Sequence, residues 1–211
     1  MNQALAFTRE QLRELPTELL NEGRYGHARV SCVQYGGRRW TVKDFSQKSF
    51  LIRTFWAPWV LFRELKILNR LEGIEGVAGC AFRIDRHAIA IEYEEGERLI
   101  YTDESLRTKS LFLAMEALLK KVHQRGVVHL DTRGWSNWLL SPAGQPVLID
   151  FQTGLMTDYL PRRIRNILEL IDMSGVYKKW LIWCPETMDE RRRKQYLRAL
   201  KWRRFWLLNQ K

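Results

Sequence analysis

The chain has 211 residues, 45% of them hydrophobic and nine of them Trp, which suits one domain or two small lobes with a real core and excludes a disordered chain. Net charge is +11, but Val176 to Lys211 holds eleven Lys/Arg against three Asp/Glu, so eight of the eleven charges sit in the C-terminal segment and a whole-surface nucleic-acid binder is not the natural reading. Cys32, Cys80 and Cys184 are far apart and form no CxxC pair, which indicates neither a disulfide framework nor a zinc site and fits a reducing cytoplasm.

The opening MNQALAFTREQLREL carries charge where a signal peptide needs an apolar core. A short helix is expected over Arg9–Leu20, with Pro16 as its candidate interruption. The segment 23–46 alternates (Val30, Cys32, Gln34, then Trp40, Val42) around Gly36-Gly37 and predicts a two-stranded hairpin. The run FLIRTFWAPWVLF at 50–62 contains Arg53 and Pro58 and is too short to span a bilayer, which takes about 20 apolar residues. Pro58 suits the first turn of a helix reaching Leu71, with Val60, Leu61, Leu65, Leu68 and Leu71 on its buried side. A core helix start is therefore the expectation for FWAPWVLF, ahead of a membrane contact.

Strands are expected at 79–85 and 87–93, then a linker at EEGERL, then a helix over Leu111–Arg125 with Leu113, Leu118 and Val122 near one face. Two short apolar runs, VVHL and PVLIDF, flank the loop DTRGWSN, and the remainder from Pro161 reads as mostly helical. The order predicts an α+β chain with a sheet-rich first part and a helical second part.

Moving a phosphoryl group from ATP requires a cation for the phosphates, oxygen ligands for magnesium, and a carboxylate facing the acceptor hydroxyl. Lys43 in WTVKDF, Glu64 in LFRELKIL, Asp131 and Asn137 in the loop, and Asp150 in LIDFQTG offer these groups in a consistent order. Taken singly, Lys43 reads equally as a strand-end surface lysine and Glu64 as a helix-surface charge.

Together, these motifs resemble the protein-kinase-like superfamily, especially its small bacterial lipopolysaccharide-kinase and RIO-like branch, over roughly residues 20–155. The resemblance implies a compact bilobal fold, with an antiparallel-sheet N-terminal lobe over 1–95 and a helical C-terminal lobe over 96–211. It implies that Lys43 contacts the α- and β-phosphates of ATP, with Glu64 as its ion-pair partner and Gly23 in the phosphate loop. Glu92, Tyr93 and Glu94 would form the hinge whose backbone meets adenine. Asp131 would orient or deprotonate the acceptor hydroxyl, and Arg133 would assist at the γ-phosphate. Asn137 and Asp150 would hold Mg2+, and His129 would brace the loop.

The chain departs from the family pattern in three places. The amide stands six residues after Asp131 instead of five, so either Asn137 or Ser136 could face the metal; the Asp-x-Arg-x-x-x-Asn form of some bacterial relatives favours Asn137. Gln152 replaces the glycine after Asp150-Phe151, which removes backbone freedom. Gly23, Tyr25 and Ala28 fall at the three phosphate-loop positions, with Gly26 out of register, a pattern that fits an ordinary hairpin start equally well. The short stretch 151–211 favours a small acceptor over a peptide.

The expected activity is Mg-ATP-dependent phosphorylation of a hydroxyl on a lipopolysaccharide-core or related sugar. The alternatives are a RIO-like protein Ser/Thr kinase and a membrane-associated pseudokinase scaffold. In the tail 188–211, Tyr196, Leu200 and Leu207 share one helical side with Leu197 and Leu208 beside them, Arg203 and Arg204 intrude, and Trp202 and Trp206 suit an interface. That tail reads either as a helix packed on the C-terminal lobe or as a contact with an anionic membrane, with nucleic acid less supported. A cytoplasmic protein, peripheral on the inner face of the bacterial inner membrane, is the expected location.

Overall fold

A computed structural model describes residues 6–24 and 26–205. The chain is α+β, with antiparallel sheets and five α-helices among the described residues. It divides into two units. One runs to Gly73 and takes in Ala78–Glu94; the other takes Ile74–Val77 and the residues from Glu95 on.

In the first unit, α1 (Arg9–Glu14) is opened by a capping box in which the Thr8 hydroxyl accepts from the Gln11 amide and the Gln11 side chain accepts from the Thr8 amide. Leu15, which precedes Pro16, is extended, and the helix stops there. The chain continues as β1 (Thr17–Asn21), so Pro16 ends the expected Arg9–Leu20 helix instead of interrupting it. β2 (Arg29–Tyr35) and β3 (Arg38–Asp44) form the predicted hairpin. Gly36 and Gly37 both take positive φ, 59° and 75°, as a tight two-residue turn demands.

β4 (Ala81–Arg83) and β5 (Ala88–Glu92), each shorter than the sequence suggests, complete a five-stranded antiparallel sheet in the order β1-β2-β3-β5-β4. Phe7 packs edge-on against Tyr35, Trp40 and Phe82, and with Val33, Val42 and Ala90 builds one core of this unit.

α2 (Ala57–Leu71) buries Val60, Leu61, Glu64, Ile67, Leu68 and Leu71. Leu65, expected in that stripe, is only half-buried, and Ile67 holds its place. Pro58 sits in the first turn of α2, but helical backbone precedes it as a π-turn over Ile52–Trp56. Proline has no N–H to offer the fourth carbonyl back, and that carbonyl, on Thr54, accepts instead from Arg86 Nη2 at 3.3 Å. The expectation of a purely core helix start is corrected here. Ala57, Val60 and Leu61 are buried, but Phe50, Leu51, Phe55, Trp59 and Phe62 are exposed.

In the second unit, Thr108 caps α3 (Lys109–Gln124). Its buried side carries Leu111, Phe112, Met115, Leu118, Leu119 and Val122, whereas Leu113 is exposed, against expectation. β7 (Val127–Val128) pairs with β10 (Leu155–Met156). β8 (Trp138–Leu140) and β9 (Pro146–Leu148) form a hairpin, joined on the β8 side by β6 (Glu97–Arg98) from within the expected linker. α4 (Arg162–Trp183) runs through the centre of this unit, packing against α3 and stacking Trp180 on Phe112 at 5.4 Å.

α5 (Glu190–Phe205) packs back on α4. Ala199 is buried, Tyr177 donates to Gln195 Oε1 at 2.9 Å, and Arg192 donates to Glu116 Oε2 at 2.6 Å. Leu197 is exposed, Tyr196 and Leu200 are half-buried, and Trp206, Leu207 and Leu208 lie outside the described residues. Among the described residues no helix is long and apolar enough to cross a membrane.

Candidate functional site

The charged groups singled out from the sequence fall into two sets, one in each unit. In the first, Lys43 is on β3, opposite Val30 of β2 and Ile89 of β5. Its ammonium donates to Glu64 Oε1 on α2 at 2.6 Å, with Lys43 7% and Glu64 1% exposed. This rules out the surface-lysine reading. Taking two such charges out of water costs several kcal/mol per ion, about as much as their attraction returns, so the fold alone has little reason to keep the pair.

Gly23 has φ 65°, and a Cβ there would come within 2.0 Å of the Ala28 carbonyl oxygen. A side chain there is therefore impossible unless Ala28 moves, and Lys48 also holds Gly23 by donating to its carbonyl at 2.7 Å. Tyr25 lies outside the described residues. At the end of β5, Glu92 pairs with Arg38 at 2.9 Å, the Tyr93 amide donates to the Arg39 carbonyl at 3.0 Å, and the Arg39 guanidinium lies over the Tyr93 ring. Burial, then the neighbouring Glu92 charge, raises the pKa of the Glu94 carboxyl.

The second set is the loop 129–137. Asn137 is buried, and its amide nitrogen donates to Asp131 twice, to Oδ2 at 2.7 Å and to the backbone carbonyl at 3.0 Å. That commits the nitrogen, and the Asn137 oxygen accepts from the Ser136 hydroxyl at 3.2 Å. Ser136 itself is exposed. Of the two alternatives left open by the sequence, Asn137 is the one joined to Asp131. Asp131 Oδ1 is buried and has no hydrogen-bond partner among the described residues, and the same holds for Arg133 Nη1. Gly134 makes the pair possible: a Cβ there would lie 2.9 Å from the Asn137 amide nitrogen and 3.1 Å from Asp131 Oδ2.

The β8–β9 register sets Trp138 opposite Leu148, and the Ile149 amide donates to the Asn137 carbonyl at 3.0 Å. Asn137 and Asp150 are thereby brought to the same end of one hairpin. Asp150 is exposed and takes a left-handed conformation, φ 66°, which costs of order 1 kcal/mol or more in a non-glycine residue.

His129 bridges loop and hairpin. Its Nδ1 accepts from the Asp131 amide at 3.2 Å, and its Nε2 lies 3.0 Å from the Ile149 carbonyl. An amide can only donate and a carbonyl only accept, so the ring is the neutral Nε2–H tautomer, with no nitrogen left over.

The loop's anchor is a residue that no local motif marks. Asp172 of α4 is fully buried and accepts from the amides of His129 at 2.8 Å and Leu130 at 3.0 Å, and from His123 Nε2 at 3.0 Å. Burial alone would raise its pKa; His123 and the backbone donors outweigh that and hold it below the usual carboxylate range. Those two amide bonds hold Leu130 at φ 65°, a conformation leucine otherwise avoids. The Thr132 hydroxyl donates to the Asp172 carbonyl, while the Thr132 carbonyl accepts from Trp138 Nε1 at 3.0 Å and Lys179 Nζ at 2.7 Å. Gly175 lets the helix backbone come this close, since a Cβ there would lie 2.2 Å from the Thr132 hydroxyl oxygen. The readable signal for Asp172, Gly175 and Lys179 was a charged and small residue set inside the apolar stretch LIDMSGVYKKW, where an acid or lysine is buried only when it has partners.

Lys179 is wholly buried, and its pKa is pushed down to about 7 by burial and by Lys178, against the opposing pull of the Asp131 charge. The arrangement therefore offers a carboxylate with one oxygen fixed and one uncommitted, an amide oxygen and a second carboxylate at a common hairpin end, and a cation nearby. No family model and no curated protein matches the chain.

Three outcomes test this geometry. Glu64→Ala removes a carboxylate from beside a buried ammonium and should lower stability by about 3–5 kcal/mol in urea unfolding, whereas Lys43→Met with Glu64→Leu should recover most of that loss. Gly175→Ala forces α4 off Thr132 and should cost about 1–3 kcal/mol by the same measurement. The unfolded chain binds a proton at Lys179 that the folded chain lacks between about pH 7 and the ordinary lysine value of 10.5, so stability gains with pH across that window. Lys179→Met should remove that gain, at most about 1.4 kcal/mol per pH unit, when unfolding is followed from pH 7 to 10.

Proposed function

We propose that the chain is a Mg-ATP-dependent kinase of protein-kinase-like fold that phosphorylates a hydroxyl, with a lipopolysaccharide-core or related sugar as acceptor. The observation that carries this reading is Asp131, whose Oδ2 is held by the Asn137 amide and whose Oδ1 has no partner among the described residues. A carboxylate fixed in that way is suited to take the proton of an attacking hydroxyl. The acceptor oxygen would bond to the γ-phosphorus, the bond from that phosphorus to the β–γ bridging oxygen would break, the proton would pass to Asp131, and ADP would leave.

Lys43, kept oriented by Glu64, would meet the α- and β-phosphates, with Gly23 in the phosphate loop and residues 92–94 against adenine. Arg133, with an uncommitted Nη1, would serve the γ-phosphate. The side-chain oxygen of Asn137 and the carboxylate of Asp150 suit magnesium, which takes six oxygens and accepts phosphate and water for the rest. Bound there, the metal would neutralise charge on the phosphates. A lipid-linked acceptor would put the protein on the cytoplasmic face of the inner membrane, with the 188–211 tail supplying positive charge. Arg192 is already engaged with Glu116, so that contribution would come from the other basic residues of the tail.

The test is transfer from γ-labelled ATP with magnesium, using lysate separated into glycolipid and polypeptide fractions. Label should enter glycolipid, and Asp131→Ala should cut transfer by about 10²–10⁴ while nucleotide binding persists. Label in polypeptide would favour the RIO-like alternative. ATP binding with label in neither fraction, and the same cellular effect for Asp131→Ala as for the parent, would establish the scaffold reading instead.

A further inference from the structure

The helical run through the π-turn and α2 is apolar on two opposite sides. One side is spent on the core of the first unit, where Val60, Leu61, Ile67, Leu68 and Leu71 are buried. The other carries Leu51, Phe55, Trp59 and Phe62 at spacings of four, four and three residues, which is one helical face. Leu51 is 68% exposed, Phe55 69% and Phe62 58%, and Phe50 and Trp56 flank them in the open. An open hollow of about 520 Å³ is lined by Leu51, Ile52, Phe55, Trp56 and Trp59, with no charged side chain among them. Water-soluble domains rarely leave so continuous an apolar face uncovered, and a helix apolar all round is ordinarily buried all round or set in lipid.

Charge identifies the cover. From Phe45 to Arg63 the chain has no Asp or Glu, and its charged residues are Lys48, Arg53 and Arg63. Arg63 holds its guanidinium 4.3 Å over the Trp59 ring, Trp59 lies 5.5 Å from Trp56, and Arg86 donates to Thr54 on the same π-turn. Tryptophans beside basic residues, with acids absent, are the composition of a surface that enters the headgroup region of an anionic bilayer. A second copy of this chain fits worse. A two-fold contact would set the patch against itself and face Lys48, Arg53 and Arg63 with their own counterparts.

We propose that this face of the first unit is a membrane-docking surface, inserting its aromatic side chains among anionic lipid headgroups. The inference is independent of the catalytic reading and concerns a surface separate from the basic tail.

Sedimentation of the full chain with vesicles tests it. Vesicles of phosphatidylcholine and phosphatidylglycerol in equal parts should bind the parent protein, phosphatidylcholine alone should bind it far less, and added salt should weaken binding. Phe55→Ser with Trp59→Ser should lower the partition by about tenfold or more. Arg203→Gln with Arg204→Gln, in the tail, should change it much less. Because Phe55 and Trp59 are exposed, circular dichroism melting of that variant should be unchanged; Leu51→Ser with Phe62→Ser provides an independent pair if the first unfolds. Brominated lipid should quench Trp fluorescence in the parent and less so in Trp56→Phe with Trp59→Phe. Absence of vesicle binding, or binding that both patch pairs leave intact, overturns the proposal. So does a dimer in light scattering that the patch pairs dissociate, since the face would then belong to a second copy.

Discussion

A carboxylate with no access to water, Asp172, determines where the loop 129–137 can run. Burial of a charge is tolerated only when its oxygens are saturated, and here two backbone amides and an imidazole do that. The amides belong to the two residues immediately before Asp131, one of them the strained Leu130. The loop is therefore positioned by a helix more than 40 residues away in sequence, with the hairpin securing its far end through the Asn137 carbonyl. Both ends of the stretch from Asp131 to Asn137 are thereby pinned. Gly134 turns back on Asp131, its amide donating to the Asp131 carbonyl at 3.1 Å, and Ser136 is left exposed. That turn accommodates the Asp131–Asn137 contact.

The two units use buried charge for different ends. Asp172 has polar partners on the backbone it must hold, so its charge does structural work within one unit. Lys43 and Glu64 hold each other across a strand and a helix, and nothing in the sheet requires a cation between Val30 and Ile89. A matched apolar pair would hold that sheet and helix as well or better. Keeping the ion pair makes physical sense if the ammonium is needed in a fixed direction for a ligand, which is the role the proposed phosphotransfer gives it. Lys179 is a third case. It is buried against the Thr132 carbonyl, and the Asp131 charge opposes the fall in its pKa that burial and Lys178 bring about.

Period-two alternation around Gly36-Gly37 made the central hairpin legible, because a glycine pair with left-handed φ leaves few alternatives. The helix α3 was legible to within two residues at its start, from its apolar spacing. What periodicity could not do was separate faces where both are apolar or both mixed: Leu65 and Leu113 look like core residues, yet Ile67 and Phe112 hold those places. Pro16 was visible as a break, but the β1 strand beyond it has no buried residue and so no alternating pattern to read. Lys43 and Glu64 in the first unit, and Asp131, Asn137 and Asp150 in the second, are marked by local motifs. Asp172, Gly175 and Lys179 carry only the signal of polar and small residues in an apolar stretch, because the partners that give them their roles lie about 40 residues or more away.

The same limit explains why FWAPWVLF reads as a core helix start. Hydrophobic periodicity reports that a side avoids water, and a protein core and a lipid headgroup layer satisfy it equally. α2 meets both conditions at once, with Glu64 on its inner side paired to Lys43 and Phe55, Trp59 and Phe62 on its outer side. The discriminating information is the charge of what surrounds the apolar residues. Core-facing helices in soluble domains carry acids and bases together on the remaining surface, whereas the stretch from Phe45 to Arg63 carries bases alone. Pro58 adds to this in a way that is backbone chemistry alone. By withholding an N–H it leaves the Thr54 carbonyl to accept from Arg86, on the same π-turn that carries Phe55 and Trp56.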